Sequence, residues 1–463
     1  MPLITTLMLA LTFAAVPSCL AAVPISLPGP SDRPQAIALA SDTFLRALAD
    51  RGGAPQFIAQ VTAAAEALPV LGERAQEVVS AIGARDQTRS QLFPGLGFDV
   101  VAARTITRDL QSPSTQVENL SPLRRNDVVG SVDQLVTDFG ATSARIRAGN
   151  AATDAARADL DVERNTALLQ LVGAWYALLA EQTATTLVQS HVERMQAQTN
   201  GSTLRFESGV DSGGDLARAR SYLSAAQSQK IGFDRRLRSA EARYRELFGA
   251  APGTVGRPDI GVLNGNPSIR PEVAAAVANE HAAQAVLDAA RSDRLPRIDA
   301  RISGAGYNVL RGSTPAFDVR AQLTLRHRFS VGGAEAAHVA ELTARRTAAR
   351  LAVDRIAAAA KREASVAASD VDGLAESLPA LEMAYLDGLR ARDLFAEQFR
   401  VSRGTLFDVL RAERDLLDAA LTLAQANYDL DVARFTLLAR QGGLIERFGM
   451  TPAVLADTSE VRR

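Results

Sequence analysis

Two carboxylates at matching turns are the side chains whose positions most clearly suggest a chemical role. Asp215 ends the segment FESGVDSGGD, which begins at Phe206, and Asp408 ends FRVSRGTLFD, which begins at Phe399. In each copy Gly and Ser allow a sharp reversal, and the Asp falls in the first turn of the next predicted helix. A carboxylate there accepts hydrogen bonds from unpaired N–H groups and meets the positive end of the helix dipole. Both segments are predicted to be turns that open a helix.

Enzyme chemistry finds little support among the other polar residues. The histidines show neither an HExxH motif nor paired-ligand spacing, so a surface or strand position is expected for each of His191, His281, His327 and His338. The sequence has no phosphate-binding loop of the P-loop kind, and no serine stands out as a nucleophile. We predict a protein that is not an enzyme and that uses no metal or cofactor.

The two turns belong to a longer repeat with an offset of 193 positions. Gly140 matches Gly333, and Gly249 matches Gly442, without a gap between them. One inserted residue would rotate every later side chain of a helix by about 100°, so the constant register predicts paired long helices. We divide the chain into a signal peptide (1–22), a first repeat (23–257), a second repeat (258–445) and a C-terminal tail (446–463).

The helices that carry the turns are expected to be long. From residue 141 to about 199 the sequence is rich in Ala, Arg, Leu and Glu, enough for ~60 residues or ~90 Å of helix. A return helix follows over about 216–248, and the second repeat has the same pair over 334–400 and about 409–440. Pro379 is expected to kink the third of these helices. Their mixed Arg, Asp and Glu faces are expected to face solvent.

Period-two alternation predicts strands before each long helix pair. It is clear at about 317–330 and 297–307, which form a hairpin, and weaker at about 95–109 and 127–139. Alternation alone fits a soluble sheet with one wet face as well as lipid-facing barrel strands. Four strands cannot close a barrel in lipid because their edges would stay unpaired, whereas three chains would supply twelve.

The amino-terminal segment predicts export. Residues 1–22 are apolar enough for a signal peptide with a small-residue cleavage point. Cys19, the single cysteine, lies in a partial lipobox, and it is either lipidated or removed with the signal. The 51 basic and 52 acidic residues are balanced, so nothing in the charge points to nucleic acid.

Together, the signal, strand pairs and duplicated hairpins resemble the TolC family of outer-membrane efflux and secretion ducts. The most specific likeness is to the family's periplasmic tip motif, Phe/Tyr-x-x-Gly followed by Asp-Val/Leu, here Phe206, Gly209, Asp215 and Leu216, and Phe399, Asp408 and Val409. The resemblance implies a mainly α fold with a β-barrel contribution. A homotrimer would form a twelve-stranded barrel in the lipid of the outer membrane, continued by an α-helical barrel in the periplasm of a Gram-negative bacterium.

The resemblance also implies partners and site residues. The partners are a periplasmic adaptor and an inner-membrane transporter, either ABC-type or proton-driven. The adaptor-docking tips would be Ser208, Gly209 and Val210 in the first repeat and Val401, Ser402 and Arg403 in the second. Asp408 would line the aperture, with Arg411 placed to neutralise it.

Two departures from the family pattern affect these expectations. The second tip has Ser402 at the glycine position and Gly404 two residues later, so its turn is expected to be shifted. Arg411 stands where some family members have a second acidic residue. The alternative function is that of a soluble or lipid-anchored periplasmic coiled-coil or adaptor protein. The sequence does not separate drug efflux from type I protein secretion.

Overall fold

A computed structural model describes residues 26–29, 42–107, 124–259, 261, 270–307, 309, 316–327 and 331–453. The predicted signal peptide, Cys19 and the end of the C-terminal tail lie outside the described residues. The helices are α1 (Thr43–Ala49), α2 (Ala54–Ala67), α3 (Pro69–Ser90), α4 (Ala141–Glu207), α5 (Gly213–Phe248), α6 (Pro271–Ser292), α7 (Ala334–Arg400), α8 (Leu406–Arg440) and α9 (Leu444–Arg447). The strands are β1 (Gly95–Arg104), β2 (Arg124–Thr137), β3 (Arg297–Tyr307) and β4 (Ala316–Arg326).

The repeat predicted from the sequence is present in the long helices. α4 and α7 each have 67 residues, and both their first and last residues differ by the predicted offset. Gly140 and Gly333, which precede the two helices, both have positive φ, at 99° and 73°. Pro379 lies inside α7, which is assigned as one helix on both sides of it. The predicted pairs of long helices are therefore confirmed.

The four predicted strands form one antiparallel sheet in the order β1-β2-β3-β4. Leu325 pairs with Ile298, and Leu323 pairs with Ala300. Ile302 in turn pairs with Val132, which pairs with Leu96. Directly paired residues lie on the same face of a sheet. The register therefore aligns the weaker alternation of β1 and β2 with the clear alternation of β3 and β4.

The strand ends differ from the predicted ones. β2 ends at Thr137 instead of about 139, because the Asp138 carboxylate accepts hydrogen bonds from the backbone N–H of Gly140 (3.2 Å) and of Thr142 (2.6 Å) at the start of α4. β2 also begins three residues earlier, at Arg124. β1 ends at Arg104 and β4 at Arg326, short of about 109 and 330, and residues 108–109 and 328–330 lie outside the described residues.

The chain divides into two compact units. A helical unit comprises Met1–Leu68, Thr166–Ser268 and Ala364–Met450, and a sheet unit comprises Pro69–Asn165, Ile269–Glu363 and Thr451–Arg463. Each unit takes segments from both predicted repeats.

Aromatic rings form the core of the helical unit. Phe57 of α2 is 2% exposed, and its ring centroid lies 5.1 Å from that of Trp175, 5.9 Å from Phe435 and 5.9 Å from Phe448. The Trp175 indole N–H donates to the Gly256 carbonyl at 3.1 Å, so its polar atom is also satisfied.

The expectation that charged helix faces point to solvent is wrong for part of the helical unit. Arg392 and Asp393 of α7 and Glu413 of α8 are buried. Each has an oppositely charged partner, which offsets the cost of taking a charge out of water.

Candidate functional site

The first predicted tip is a helix end followed by a tight turn. Gly209 has a φ of 75°, its N–H donates to the Phe206 carbonyl at 3.0 Å, and the Val210 N–H donates to the Arg205 carbonyl at 2.8 Å. This pair of hydrogen bonds is the Schellman motif, in which glycine commonly occupies the left-handed position.

The second tip has the same geometry, so the expectation of a shifted turn is wrong. Ser402 has a φ of 61°, its N–H donates to the Phe399 carbonyl at 3.1 Å, and the Arg403 N–H donates to the Gln398 carbonyl at 2.8 Å. The left-handed position is thus residue 402, although it is a serine. Gly404 has another role, because a Cβ at that position would lie 3.2 Å from the Gln398 Cβ and 3.3 Å from the Phe399 nitrogen.

Each tip is followed by a capping box. The Ser212 hydroxyl donates to the Asp215 carboxylate at 2.7 Å and accepts from the Asp215 N–H at 3.1 Å. Thr405 and Asp408 make the same two contacts at 2.6 and 3.3 Å. The structure thus places both predicted aspartates in the first turns of α5 and α8, where each completes a capping box with the N-cap residue, Ser212 or Thr405.

Arg411 does not pair with Asp408. Its guanidinium lies 3.7 Å from the carboxylate of Asp415, one helical turn further along α8, and both side chains are mostly exposed. The Asp408 carboxylate faces Thr405 in the cap, so Arg411 meets the acidic residue at i+4 instead. Within the chain, Arg411 therefore does not neutralise Asp408.

The two tip phenylalanines have different surroundings. Phe399 packs against the buried cluster of Met195, Ala219, Ala226, Leu406 and Leu410, and the Arg205 guanidinium lies 4.8 Å from its ring centroid. Phe206 is 44% exposed, and Leu204, Val210 and Val401 beside the tips are exposed as well. The tips therefore present apolar side chains at their surface.

A polar contact that the sequence analysis missed holds the first tip. Asp211 accepts from the Arg205 Nε at 2.8 Å and from the Ser202 hydroxyl at 3.2 Å. The matching position in the second repeat is Gly404, so comparing the repeats marks Asp211 as different but does not reveal its partners.

His191 is buried, contrary to the expectation of a surface or strand position. It lies on α4 and is 3% exposed. Burial, together with the nearby charges of Arg194 and Arg414, lowers the pKa of His191 to about 4. A histidine in this environment stays neutral and is a structural residue. His281 and His338 are exposed, as expected.

The sheet has an apolar face that is exposed to solvent in the single chain. Its large members are between 59% and 84% exposed: Leu96, Phe98, Val100, Phe317, Val319, Leu323 and Leu325. The opposite face carries ion pairs, including Arg301 with Asp133, and Arg320 with Asp318 at 2.5 Å. An exposed apolar area of this kind marks an interaction surface.

Within the part of the chain that the structure describes, no helix combines the length and the apolar character needed to cross a membrane. The His, Cys, Asp and Glu side chains of that part form no group of three that could hold a metal ion.

Comparisons with known proteins agree with the resemblance seen in the sequence. Residues 61–250 match the family described as "Outer membrane efflux protein". The chain is 24% identical over 336 residues to the outer membrane efflux protein BepC of Brucella suis, covering 69% of this chain and 73% of that protein.

Solved structures share the fold. The Campylobacter jejuni CmeC outer membrane channel superposes with a TM-score of 0.74 at 12% identity, covering 97% of this chain and 96% of that one. The Vibrio cholerae outer membrane protein VceC gives 0.70 at 17% identity, covering 86% and 96%. The predicted resemblance is confirmed, and so is a mainly helical fold with four antiparallel strands.

Proposed function

We propose that the chain, which resembles the TolC family of outer-membrane efflux proteins, forms the outer-membrane duct of a tripartite efflux system. Substrates would pass from an inner-membrane transporter through a periplasmic adaptor into the duct and then to the exterior. The family is a transport family, so we propose no enzymatic activity. The alternative, a soluble or lipid-anchored coiled-coil protein, is not favoured.

The observation that carries this proposal is the exposed apolar face of the sheet. A soluble protein would hide such a face against a second layer, whereas lipid covers it without further structure. The strands have 10, 14, 11 and 11 residues. About 9 to 11 tilted residues span the hydrocarbon core of a bilayer, so each strand is long enough to cross it.

The two open edges of the sheet support a homotrimer. β1 and β4 are the edges of the four-stranded sheet, and each edge leaves a row of backbone groups without strand partners. Such groups cost several kcal/mol each in lipid, so membrane-spanning sheets are closed. Pairing β1 of one copy with β4 of the next would close three copies into a twelve-stranded barrel.

The tips are proposed to dock the adaptor. The two Schellman turns are exposed at Ser208, Gly209 and Val210, and at Val401, Ser402 and Arg403, and each turn exposes one valine. The equal geometry of the two turns would give the adaptor two similar contact points on each copy. Apolar tip side chains such as Val210 would supply the contact area, because they are exposed in the single chain.

The aperture is proposed to lie at the start of α8. Asp408 is held by its cap at that helix start, so three copies around a threefold axis would form a ring of carboxylates. Such a ring would attract cations and repel itself. Because Arg411 is paired with Asp415, it would not neutralise Asp408, and each copy would contribute one negative charge to the ring.

The proposal is tested by locating and sizing the protein. We expect outer-membrane fractions to contain it as a trimer on unheated gels that becomes a monomer on heating. Deleting the gene should raise the cell's sensitivity to exported compounds. A monomer in the periplasmic fraction would contradict the proposal and favour the coiled-coil alternative.

The partners are tested by co-purification from cross-linked cells. We expect an adaptor and a transporter to be recovered with the trimer. An ABC transporter together with a secreted protein would indicate type I secretion, and a proton-driven transporter would indicate efflux of small molecules.

A further inference from the structure

Arg392 of α7 is the largest fully buried side chain among the described residues. A buried guanidinium is costly unless hydrogen-bond acceptors surround it, because it carries a full charge and five N–H donors. The groups that accept hydrogen bonds from this arginine therefore indicate which part of the chain it binds.

Two of those acceptors are backbone carbonyls near the amino terminus. The Arg392 Nη1 donates to the Pro28 carbonyl at 2.9 Å, and the Nη2 donates to the Gly29 carbonyl at 3.2 Å. The fixed fork of a guanidinium suits a pair of neighbouring acceptors, which an ammonium group cannot match. The two segments are more than 360 positions apart in the chain.

Acidic side chains orient the guanidinium from the other side. The Arg392 Nε donates to the Asp393 carboxylate at 2.6 Å, and the Glu413 carboxylate lies 3.9 Å from the Nη1. Glu413 in turn accepts from the Arg194 Nε at 2.8 Å. These charges pre-arrange the Arg392 donors and connect α4, α7 and α8 within the helical unit.

An apolar side chain of the amino-terminal segment is also buried. Leu27 is 5% exposed, although it lies in a segment without regular structure. Further along the chain, the Tyr385 hydroxyl donates to the Asp42 carboxylate at 3.2 Å, and the Phe44 ring packs on that of Tyr385 at 4.8 Å. Tyr385 and Arg392 are seven residues apart, so they lie on one face of α7.

We propose that this face of α7 is a peptide-binding site for the chain's own segment 26–29. Arg392 recognises two successive backbone carbonyls, and the side chain of the neighbouring Leu27 is buried. Recognition of carbonyls is independent of side chains, whereas the buried position 27 favours an apolar side chain, a condition that the small cysteine of the test below also meets. The amino-terminal segment is thereby joined to the buried charges that connect α4 with α8.

The test measures how fast a thiol at position 27 reacts in the full-length protein. Leu27→Cys is labelled with a maleimide and followed on the peptide that contains it, alone and combined with Arg392→Lys. Lysine keeps the charge but cannot reach both carbonyls. We expect labelling to accelerate by roughly 10- to 100-fold, the range that corresponds to losing one charge-assisted hydrogen bond.

Arg390→Lys is the matched control. Arg390 lies on the same helix, is partly exposed and pairs with Asp387 at 2.9 Å, so its replacement should leave the labelling rate unchanged. Leu48→Cys, at a buried position of α1, reports on the fold of the unit. It should stay slow when combined with Arg392→Lys.

The other outcomes would overturn the proposal. Equal labelling at position 27 with and without Arg392→Lys would show that Arg392 does not hold the segment. Fast labelling at both position 27 and position 48 would show that Arg392 supports the whole unit and is not a site for this peptide.

Discussion

At the scale of single residues, Ser402 carries strain that its counterpart does not. Ser402 and Gly209 take nearly the same left-handed backbone conformation in the same hydrogen-bonded turn. This conformation costs a residue with a Cβ about 1 to 2 kcal/mol, whereas glycine adopts it without that cost. The hydrogen bonds that close the end of α7 therefore hold Ser402 in a backbone conformation that serine disfavours.

Ser402→Gly is expected to stabilise the second tip by about 1 kcal/mol or less, because relief of strain exceeds the added entropy of glycine in the unfolded chain. Hydrogen exchange of the amides at the end of α7 measures the change. Gly209→Ser is the matched control and should destabilise the first tip by a similar amount. Faster exchange in Ser402→Gly would show that Ser402 is not strained.

His191 is expected to make stability depend on pH. Its pKa is lowered to about 4 in the folded state, against 6.5 for the free side chain, so the unfolded chain binds a proton first as the pH falls. Stability should be full above pH 6.5 and should decrease between pH 6.5 and 4, by up to about 3 kcal/mol.

The measurement compares the Tm of wild type and His191→Gln from pH 7 to pH 4. Glutamine does not titrate, so the wild type should lose several degrees relative to this variant as the pH is lowered. A constant difference in Tm across that range would mean that His191 takes up no proton on unfolding.

At the scale of elements, the helices and strands were largely predictable because their signals are local or repeated. The predicted bounds of α7 match the structure, whereas α4 begins at the predicted residue 141 but ends at Glu207, beyond the predicted end at about 199. Period-two alternation predicted β3 and β4. The end of β2 was missed because it depends on the Asp138 cap. The burial of Arg392 was missed because its acceptors, Pro28 and Gly29, are distant in sequence.

Leu323→Arg on β4 is expected to prevent trimer assembly. Leu323 is 70% exposed on the apolar face, and an arginine at the bilayer midplane costs about 2 to 4 kcal/mol. Arg326→Leu on the opposite face should still assemble. Unheated gels of outer-membrane fractions provide the measurement. Stable trimers of Leu323→Arg, together with loss of trimers in Arg326→Leu, would place the other face of the sheet against lipid.

Gly209→Val at the first tip is expected to leave the trimer intact and to abolish transport. Valine strongly disfavours the φ of 75° that the turn requires, so the backbone presented to the adaptor would change. In vivo cross-linking to the adaptor measures docking. Undiminished capture of the adaptor by this variant would mean that the docking site lies elsewhere.

At the scale of the whole molecule, the proposed trimer gives Asp408 a property that one chain lacks. Within the chain Asp408 is a helix cap like Asp215. Around a threefold axis, three carboxylates about 6 to 8 Å apart would repel by roughly 2 to 3 kcal/mol per pair at an effective dielectric constant near 20. Equivalent caps in the two repeats would then have different electrical effects on a conducting pore.

Single-channel recordings of the trimer separate the two roles of Asp408. Asp408→Asn should weaken cation selectivity and block by trivalent cations, because asparagine keeps the cap but removes the charge. Arg411→Ala should strengthen both, since it removes a positive charge and leaves Asp415 unpaired. Asp215→Asn, the matched cap of the first repeat, should change neither. Equal conductance and selectivity in all variants, with Asp408→Ala costing only about 1 kcal/mol of stability, would leave Asp408 as a helix cap alone.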